Sequence, residues 1–302
     1  MNSGTTIFSR RAREILIKNA FAVMAFTSVL ILGLIVLFLF REGLPIFREV
    51  SLRQFLFGPY WYPTATPPEY GIWPLIVGSA IVTLFSSLIA VPFGLLSAIY
   101  ISEIAPAQIK EVLKSVIELL AGLPSVVLGF FGMVVLGPWM QEAFDLPTGL
   151  NIVNASLMLA LMAIPTISSI SEDALYAVPR DFKEAAYALG ATKYETVIRI
   201  IIPAALSGIS TAVILGMARA IGETMVVLMV AGGSAAVPLG LFDSVRPMTA
   251  SIAAEMGEAP HGGGHYRALF ATGMVLFVIT LAFNLIADYI SNKFKEEGSG
   301  TL

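Results

Sequence analysis

Six long apolar segments dominate this sequence and restrict it to a membrane. The first runs from Asn19 to Phe40, and the others cover about 72–101, 115–138, 152–170, 204–231 and 267–290. A helix of roughly 20 apolar residues crosses the hydrocarbon core of a bilayer. Only 13% of the residues are charged, about half the share of a soluble domain. The sequence therefore predicts an all-α polytopic membrane protein with six transmembrane helices.

The polar stretches between these segments define the remaining parts of the chain. Residues 1–18 and 291–302 form polar tails, and residues 41–71 form a polar, aromatic loop that contains Tyr60, Trp61 and Tyr62. Tyrosine and tryptophan are enriched where a membrane meets water, so this loop is predicted to lie at that interface. Leu52–Phe57 could form a short interfacial helix within it.

The basic residues are distributed unevenly between the two sides of the membrane. Six spans place both termini on one side, together with the connections 102–114 and 172–203. That side carries twelve of the eighteen basic residues: Arg10, Arg11, Arg13, Lys18, Lys110, Lys114, Arg180, Lys183, Lys193, Arg199, Lys293 and Lys295. The other side carries five: Arg41, Arg48, Arg53, Arg246 and Arg267. Since cytoplasmic loops are enriched in lysine and arginine, both termini and the 172–203 loop are predicted to be cytoplasmic.

The 172–203 loop carries the signals of a short helix. Asp181 followed by Glu184 has the spacing of a capping box, which predicts a helix that begins near Phe182. One apolar face would be formed by residues at i, i+3, i+4 and i+7: Phe182, Ala185, Ala186 and Leu189. A helix of about two turns is marginal alone and needs a surface to pack against.

A sharp turn and a second helix are predicted to follow. Gly190 lies where a left-handed helix C-cap is needed. Thr192 and Glu195 then form a second capping-box pattern. The new helix would continue through an apolar face made of Tyr194, Val197, Ile198 and Ile201.

This helix–turn–helix resembles the EAA loop of ABC-type import permeases. The matching residues are Glu184, Ala185, Ala186, Gly190, Ile200 and Pro203, with Ile202 where the family usually has leucine. The resemblance implies a coupling helix that docks into a groove on an ATP-hydrolysing subunit. The alternative is an ordinary amphipathic helix on the membrane surface.

Two charges of opposite sign lie inside the fifth apolar segment. Arg219 and Glu223 are four residues apart, which places them on one face of a continuous helix. Charges inside a membrane are costly and usually face protein or a water-filled cavity. They could be a structural ion pair, or they could lie on a translocation path or its gate.

Small residues and prolines mark the spans as well. Residues of the fifth span that are four apart form a small-residue stripe: Gly208, Ala212, Gly216, Ala220 and Thr224. Such a stripe permits close helix approach, either within the subunit or with a second one. Pro92, Pro124 and Pro165 are predicted to interrupt three successive spans. The interruptions would belong either to a bent, gated pathway or to ordinary packing irregularity.

The sequence lacks the residues that several kinds of chemistry require. The chain has no cysteine, which excludes disulfides, thiol catalysis and cysteine-ligated metals. His261 and His265 have metal-pair spacing, but the glycines between them favour a flexible extracytoplasmic loop, and no metal site is expected. No P-loop motif occurs, so no ATP site of that type is present. The chain is expected to be non-catalytic.

Two further stretches, Ala121–Gly132 and Ala218–Gly233, resemble permeases of the phosphate importers of the Pst type, and the PstC subunit more than PstA. Residues 265–269, His-Tyr-Arg-Ala-Leu, do so too. The resemblance implies a type I ABC importer (MetI-like) domain over 72–290 and transport of inorganic phosphate. It also implies a PstA-like second permease, two PstB-like ATPase subunits that bind ATP and magnesium, and a PstS-like phosphate-binding protein.

Other functions remain as alternatives. A permease for molybdate, sulfate or phosphonate would share the coupling loop. A secondary transporter would need acidic or histidine relays across several spans, and usually repeated halves; neither is evident. An intramembrane enzyme would need a nucleophile–base pair, which the spans lack.

Overall fold

The structure is a computed structural model that describes residues 4–299, with side chains from residue 13 to residue 289 except 287. The first and last three residues lie outside the described part, at the ends of the two predicted tails. Five helices within the described part are long and apolar enough to cross a membrane, and a bent helix pair makes a sixth candidate. The prediction of a helical polytopic membrane protein is confirmed, with five or six candidate spans among the described residues.

The first helix, α1 (Gly4–Gly43), stands apart from the rest of the chain along most of its length. Its side chains are exposed from residue 13 to residue 35, and it packs against α14 (Gly264–Ser299) only near its C-terminal end. A 3₁₀ turn (Leu44–Arg48) follows, then α2 (Leu52–Phe57), which is the interfacial helix considered above. Two short antiparallel strands, β1 (Trp61–Tyr62) and β2 (Glu69–Tyr70), complete the 41–71 loop.

Helices α3 (Trp73–Ile99) and α7 (Ile152–Tyr176) form the centre of the bundle. A π-helical turn, Tyr100–Ile104, extends α3. The two helices approach closely because Gly94 lacks a side chain: a Cβ there would lie 2.8 Å from Ile167 Cγ2. Pro92 and Pro165 lie inside these helices, and neither proline ends its helix, although both were predicted to interrupt their spans.

The third span differs from the expectation in its start and end. The sequence predicted one helix over about 115–138 that contains Pro124. The structure instead has α4 (Ala107–Ala121), then α5 (Ser125–Phe131), a π-helical turn (Gly132–Leu136) and α6 (Gly137–Phe144). Pro124 caps α5 rather than kinking a helix, because proline disfavours helical geometry in the residue before it and cannot donate a backbone hydrogen bond. The membrane-crossing part therefore begins at Ser125.

The fifth span is broken twice, whereas one continuous helix was predicted. It is built from α9 (Lys193–Thr196), a π-helical turn (Val197–Ile201), α10 (Ile202–Ala204) and α11 (Leu206–Gly222). The chain bends by 70° between α10 and α11. Pro203 in α10 cannot donate a backbone hydrogen bond, which favours a break here. A second break at Glu223 and Thr224 separates α11 from α12 (Met225–Val230).

Helix α13 (Met248–Glu255) and α14 complete the fold, and a polar network joins them to the 41–71 loop. Glu255 accepts hydrogen bonds from Trp61 Nε1 at 3.0 Å and Arg246 Nη1 at 2.6 Å, and its Oε2 lies 2.8 Å from His265 Nε2. His265 is in the first turn of α14, so its placement in a flexible loop was wrong. The glycine-rich stretch ends where α14 begins, at Gly264, and the contact with Glu255 holds the imidazole of His265 in place.

Candidate functional site

The predicted coupling helix is present as α8 (Arg180–Ala188). Its first capping box is not formed, because the helix begins at Arg180 and Pro179 occupies the N-cap position without a side-chain hydrogen bond. Proline is well suited to a helix start because its backbone has no N–H to leave unsatisfied. Asp181 therefore lies in the first turn, where its charge complements the helix dipole.

The turn after α8 has the geometry that Gly190 predicted. Gly190 adopts a φ of 83°, and no atom lies within 4 Å of where its Cβ would be, so backbone conformation rather than space favours glycine. Ala191 N donates to Ala186 O at 3.1 Å and Gly190 N to Tyr187 O at 3.0 Å. These two bonds form a Schellman motif that closes α8.

The second capping box is also formed. Glu195 N donates to Thr192 Oγ1, and Glu195 Oε2 accepts from Thr192 N at 2.9 Å. The N-cap of the next helix thus lies four residues after the end of α8, and hydrogen bonds fix the first turn of that helix.

Burial divides the apolar side chains of this loop into two groups. Ala186, Val197 and Ile201 are buried, and the latter two pack in a cluster with Ala98, Leu175 and Ile209. A second group stays exposed, with Leu189 at 90% exposure: Phe182, Tyr187, Leu189, Tyr194 and Ile198. We call this second group the loop surface. Glu184, Ala185 and Pro203 are exposed as well.

Ionic contacts at Glu103 and Glu172 hold the loop region to the spans, and sequence analysis missed them. Lys183 Nζ donates to both carboxylate oxygens of Glu103, at 2.8 and 2.9 Å, and the Glu103 side chain is only 7% exposed. Glu172 lies 3.5 Å from Lys110 and from Lys114 on α4. A glutamate just beyond an apolar segment was the available signal at each site, but the lysine partners are about 60–80 residues distant in sequence.

Arg219 lies on α11 with its side chain exposed on the surface of this subunit. Its Nη1 donates to Thr166 Oγ1 of α7 at 3.3 Å. Among the side chains that the structure describes, it forms no ion pair with Glu223, contrary to the expected geometry. The reason is the end of α11 at Gly222, which takes Glu223 out of the helix and into an extended conformation.

Glu223 instead borders two narrow clefts, neither of which has room for more than about one water molecule. Its carbonyl oxygen accepts from Thr249 Oγ1 at 2.7 Å, and its carboxylate lies 3.5 Å from Val226 N. One cleft is lined by Arg219 and Glu223, with Leu159 and Met162 opposite. The other is lined by Glu223 with the hydroxyl-bearing residues Ser79, Thr83 and Thr249. Arg219 and Glu223 thus share a cleft without being paired.

The small-residue stripe of α11 faces α7 within the same subunit. A Cβ at Gly216 would collide with Ile167, and one at Gly208 with Ala174. Ala212, between these positions, and Ala220, one turn beyond Gly216, are both buried. The stripe therefore serves packing inside this subunit, and Thr224, beyond the helix break, is not part of it.

The comparisons with known proteins agree with this architecture. Residues 90–296 match the family described as "Binding-protein-dependent transport system inner membrane component". The chain belongs to this family. It is accordingly a multi-pass inner-membrane component, and the described loop lies inside the matched range.

Relatives within the family extend the match over most of the chain. The "Probable ABC transporter permease protein YqgH" of Bacillus subtilis is 42% identical over 86% of this chain and 85% of that protein. The "Phosphate transport system permease protein PstC" of Haemophilus influenzae is 32% identical over 96% of both chains. The protein of the same name from Mesorhizobium japonicum is 34% identical over 78% of this chain and 77% of its own length.

Solved structures of importers share the fold. A chain of the MetNI methionine ABC transporter in an inward-facing conformation aligns with a TM-score of 0.56 at 20% identity, covering 74% of this chain and 94% of that one. A bacterial alginate ABC transporter aligns with a TM-score of 0.58 at 15% identity, covering 91% and 96%. This family member therefore has the MetI-like ABC permease fold.

Proposed function

We propose that this chain is the permease subunit of an ATP-driven importer that moves inorganic phosphate across the cytoplasmic membrane. The observation that carries the proposal is the 32–34% identity to phosphate transport permeases named PstC over 78–96% of the chain. The ABC type-1 domain would comprise residues 72–290, preceded by the helix 19–40 and the 41–71 loop.

The loop surface supports ATPase docking as the role of residues 172–203. Five large apolar side chains are exposed on a short, rigidly capped helix–turn–helix, and exposed apolar patches of this kind mark interaction sites. In this proposal Glu184, Ala185, Ala186, Gly190 and Pro203 form the coupling loop. ATP and magnesium bind the partner ATPase, and this chain is non-catalytic.

The partners follow from the same assignment. A PstA-like permease completes the pathway as a heterodimer, two PstB-like ATPases bind the cytoplasmic loops, and a PstS-like protein delivers phosphate. Both termini and the coupling loop are cytoplasmic in this arrangement, as the distribution of basic residues predicts.

Arg219 and Glu223 are the candidate pathway residues. Arg219 is exposed in the middle of a membrane-spanning subunit, where an unpaired charge needs either water or a partner surface. A guanidinium suits an oxyanion because its donors match phosphate geometry. The cleft shared with Glu223 would be part of the path or of its gate.

Transport by the reconstituted complex tests the proposal. The chain would be assembled with its partner permease and ATPase in liposomes, with the binding protein on the outside. We expect ATP-dependent uptake of radiolabelled phosphate, and little uptake of sulfate or molybdate. Preferential uptake of sulfate or molybdate would show that the substrate is another oxyanion, and the permease role would still hold. ATP-independent uptake would contradict the permease role itself.

A further inference from the structure

An apolar groove lies beside the 41–71 loop. Its volume is about 640 Å³, within the range of small-molecule sites. Every side chain that lines it is apolar, and the lining comes from the 3₁₀ turn, α2, α3 and α14. The lining includes Leu44, Phe47, Leu52, Phe57, Val275 and Val278. We call this cavity the α2–α14 groove.

The groove is open on the outer face of the bundle. Leu44, Leu52, Phe57 and Val278 line it and are each about half exposed. Along α14 the lining runs from Ala271 to Ile279, which at 1.5 Å per residue is about 12 Å along the helix axis. A long, narrow apolar slot in a membrane-spanning bundle has the shape and chemistry of an acyl chain.

Aromatic residues locate one end of the groove at the membrane–water interface. The ring of Phe57 contacts that of Trp73, with 5.6 Å between centroids. The rings of Tyr60 and Tyr62, which follow Phe57 closely in the sequence, stack on each other. Tryptophan and tyrosine prefer the headgroup level of a bilayer. The groove therefore begins where lipid headgroups lie and extends toward the hydrocarbon.

Positive charge accompanies this end. Arg53 is one helical turn before Phe57, on the same side of α2, and Arg48 follows the lining residue Phe47. Both arginines are exposed, and neither is ion-paired among the side chains that the structure describes. The neighbouring Glu49 is occupied by Arg267 at 3.0 Å.

We propose that the α2–α14 groove binds one anionic phospholipid of the leaflet on the side of the 41–71 loop. One acyl chain fills the groove, and Arg48 and Arg53 bind the phosphate of the headgroup. The bound lipid fills the space between the loop and α14, and it fixes α2 against the bundle. This site is independent of the transported substrate.

Native mass spectrometry of the complete complex tests the proposal, with phosphatidylglycerol and phosphatidylcholine of identical chains as probes. Wild type should retain one phosphatidylglycerol in preference to phosphatidylcholine. The double substitution Arg48→Gln, Arg53→Gln should lower phosphatidylglycerol retention about tenfold and leave phosphatidylcholine unchanged. Lys18→Gln, at the opposite end of α1, is the charge control and should change neither.

A space-filling substitution tests the acyl-chain half of the site. Val278→Trp should reduce retention of both lipids, whereas Leu285→Trp, exposed on the same helix outside the groove, should not. Equal retention of the two lipids by wild type would contradict the headgroup contact. A photo-crosslinker at Val278 that captured the second permease instead of lipid would show a subunit interface and overturn the proposal.

Discussion

Arg219 faces the outside of this subunit although it lies in a membrane-spanning helix. Its single described hydrogen bond, to Thr166, leaves most of the guanidinium free for other partners. Because no ion pair with Glu223 is formed among the described side chains, removing the arginine would not strand a buried carboxylate. The cost of its substitution in stability should therefore be small.

We expect Arg219→Gln to assemble normally but to lower phosphate uptake about tenfold, which corresponds to ~1.4 kcal/mol of lost interaction. Membrane abundance and uptake by the reconstituted complex would be measured together, with Arg13→Gln as the charge-matched control. Adding Glu223→Gln should not restore uptake. If the double variant recovered near-normal uptake, the two residues would have a structural role only.

Lys183 is a second residue whose role depends on a single contact. It is the coupling-helix side chain that reaches Glu103 at the end of the second span, so it can transmit movement of the loop to α3. Glu103→Gln should leave ATPase binding intact but lower the phosphate moved per ATP hydrolysed. The lost charge-assisted hydrogen bonds are worth about 2 kcal/mol.

The exchange Lys183→Glu, Glu103→Lys keeps the contact with reversed charges and serves as the matched variant. It should recover most of the ratio of transport to hydrolysis, whereas Lys183→Glu alone should not. A Glu103→Gln complex with a normal ratio would show that the contact only stabilises the fold.

At the scale of elements, the coupling loop depends on the backbone conformation of Gly190. The Schellman motif and the second capping box define the angle between α8 and the following helix. A β-branched residue in the left-handed region costs about 1–3 kcal/mol, which the loop can relieve by changing that angle.

Gly190→Val should therefore reduce both co-purification with the ATPase and ATP hydrolysis in the complex. Gly190→Asn is the control, because asparagine tolerates the left-handed conformation, and it should retain most of both. Space is not the cause, since nothing lies within 4 Å of the Cβ position. A valine variant that folds, binds and hydrolyses normally would contradict the proposed dependence on this turn.

The contact between α7 and α11 depends on the absence of side chains. Gly216→Val should collide with Ile167 and destabilise the subunit by about 1–3 kcal/mol, since overpacking a tight interface forces strain. Gly33→Val adds the same side chain to α1, where nothing lies within 4 Å, and should be neutral. Thermal unfolding of the detergent-purified complex would compare the two. Equal midpoints would argue against tight packing at Gly216.

At the scale of the whole molecule, the structural features that could be predicted from the sequence are those that depend on local patterns. Apolar length located the spans, and glycine and the Thr192–Glu195 spacing located the turn and the cap. Pro124 was predicted to interrupt the third span, but as a kink within one helix rather than as the N-cap of a new one. The break at Glu223 was not predicted, because a regular helix was assumed through Arg219 and Glu223. Likewise, the Lys183–Glu103 contact and the Glu255 network join residues that are distant in sequence, and only the folded bundle brings them together.

The same division applies to the candidate site. The turn at Gly190 and the cap at Thr192 could be predicted because both are encoded by residues close in sequence. The geometry of Arg219 could not, because a regular helix was extrapolated through Glu223, and the helix break changed the neighbours of both charges. Which surface covers the loop and Arg219 is a property of the assembly, so it is tested best on the assembled complex.

The orientation of the whole molecule gives the last prediction. Since the chain has no cysteine, single cysteines report without background. Glu184→Cys and His261→Cys are both at exposed positions, one in the coupling loop and one before α14. A membrane-impermeant maleimide should label only His261→Cys in right-side-out spheroplasts. In inverted membrane vesicles it should label only Glu184→Cys. The physical reason is the excess of basic residues on the coupling-loop side. Labelling of both positions from the same side would require a different number of spans between them, and labelling with the sides exchanged would place the loop surface out of reach of a cytoplasmic ATPase.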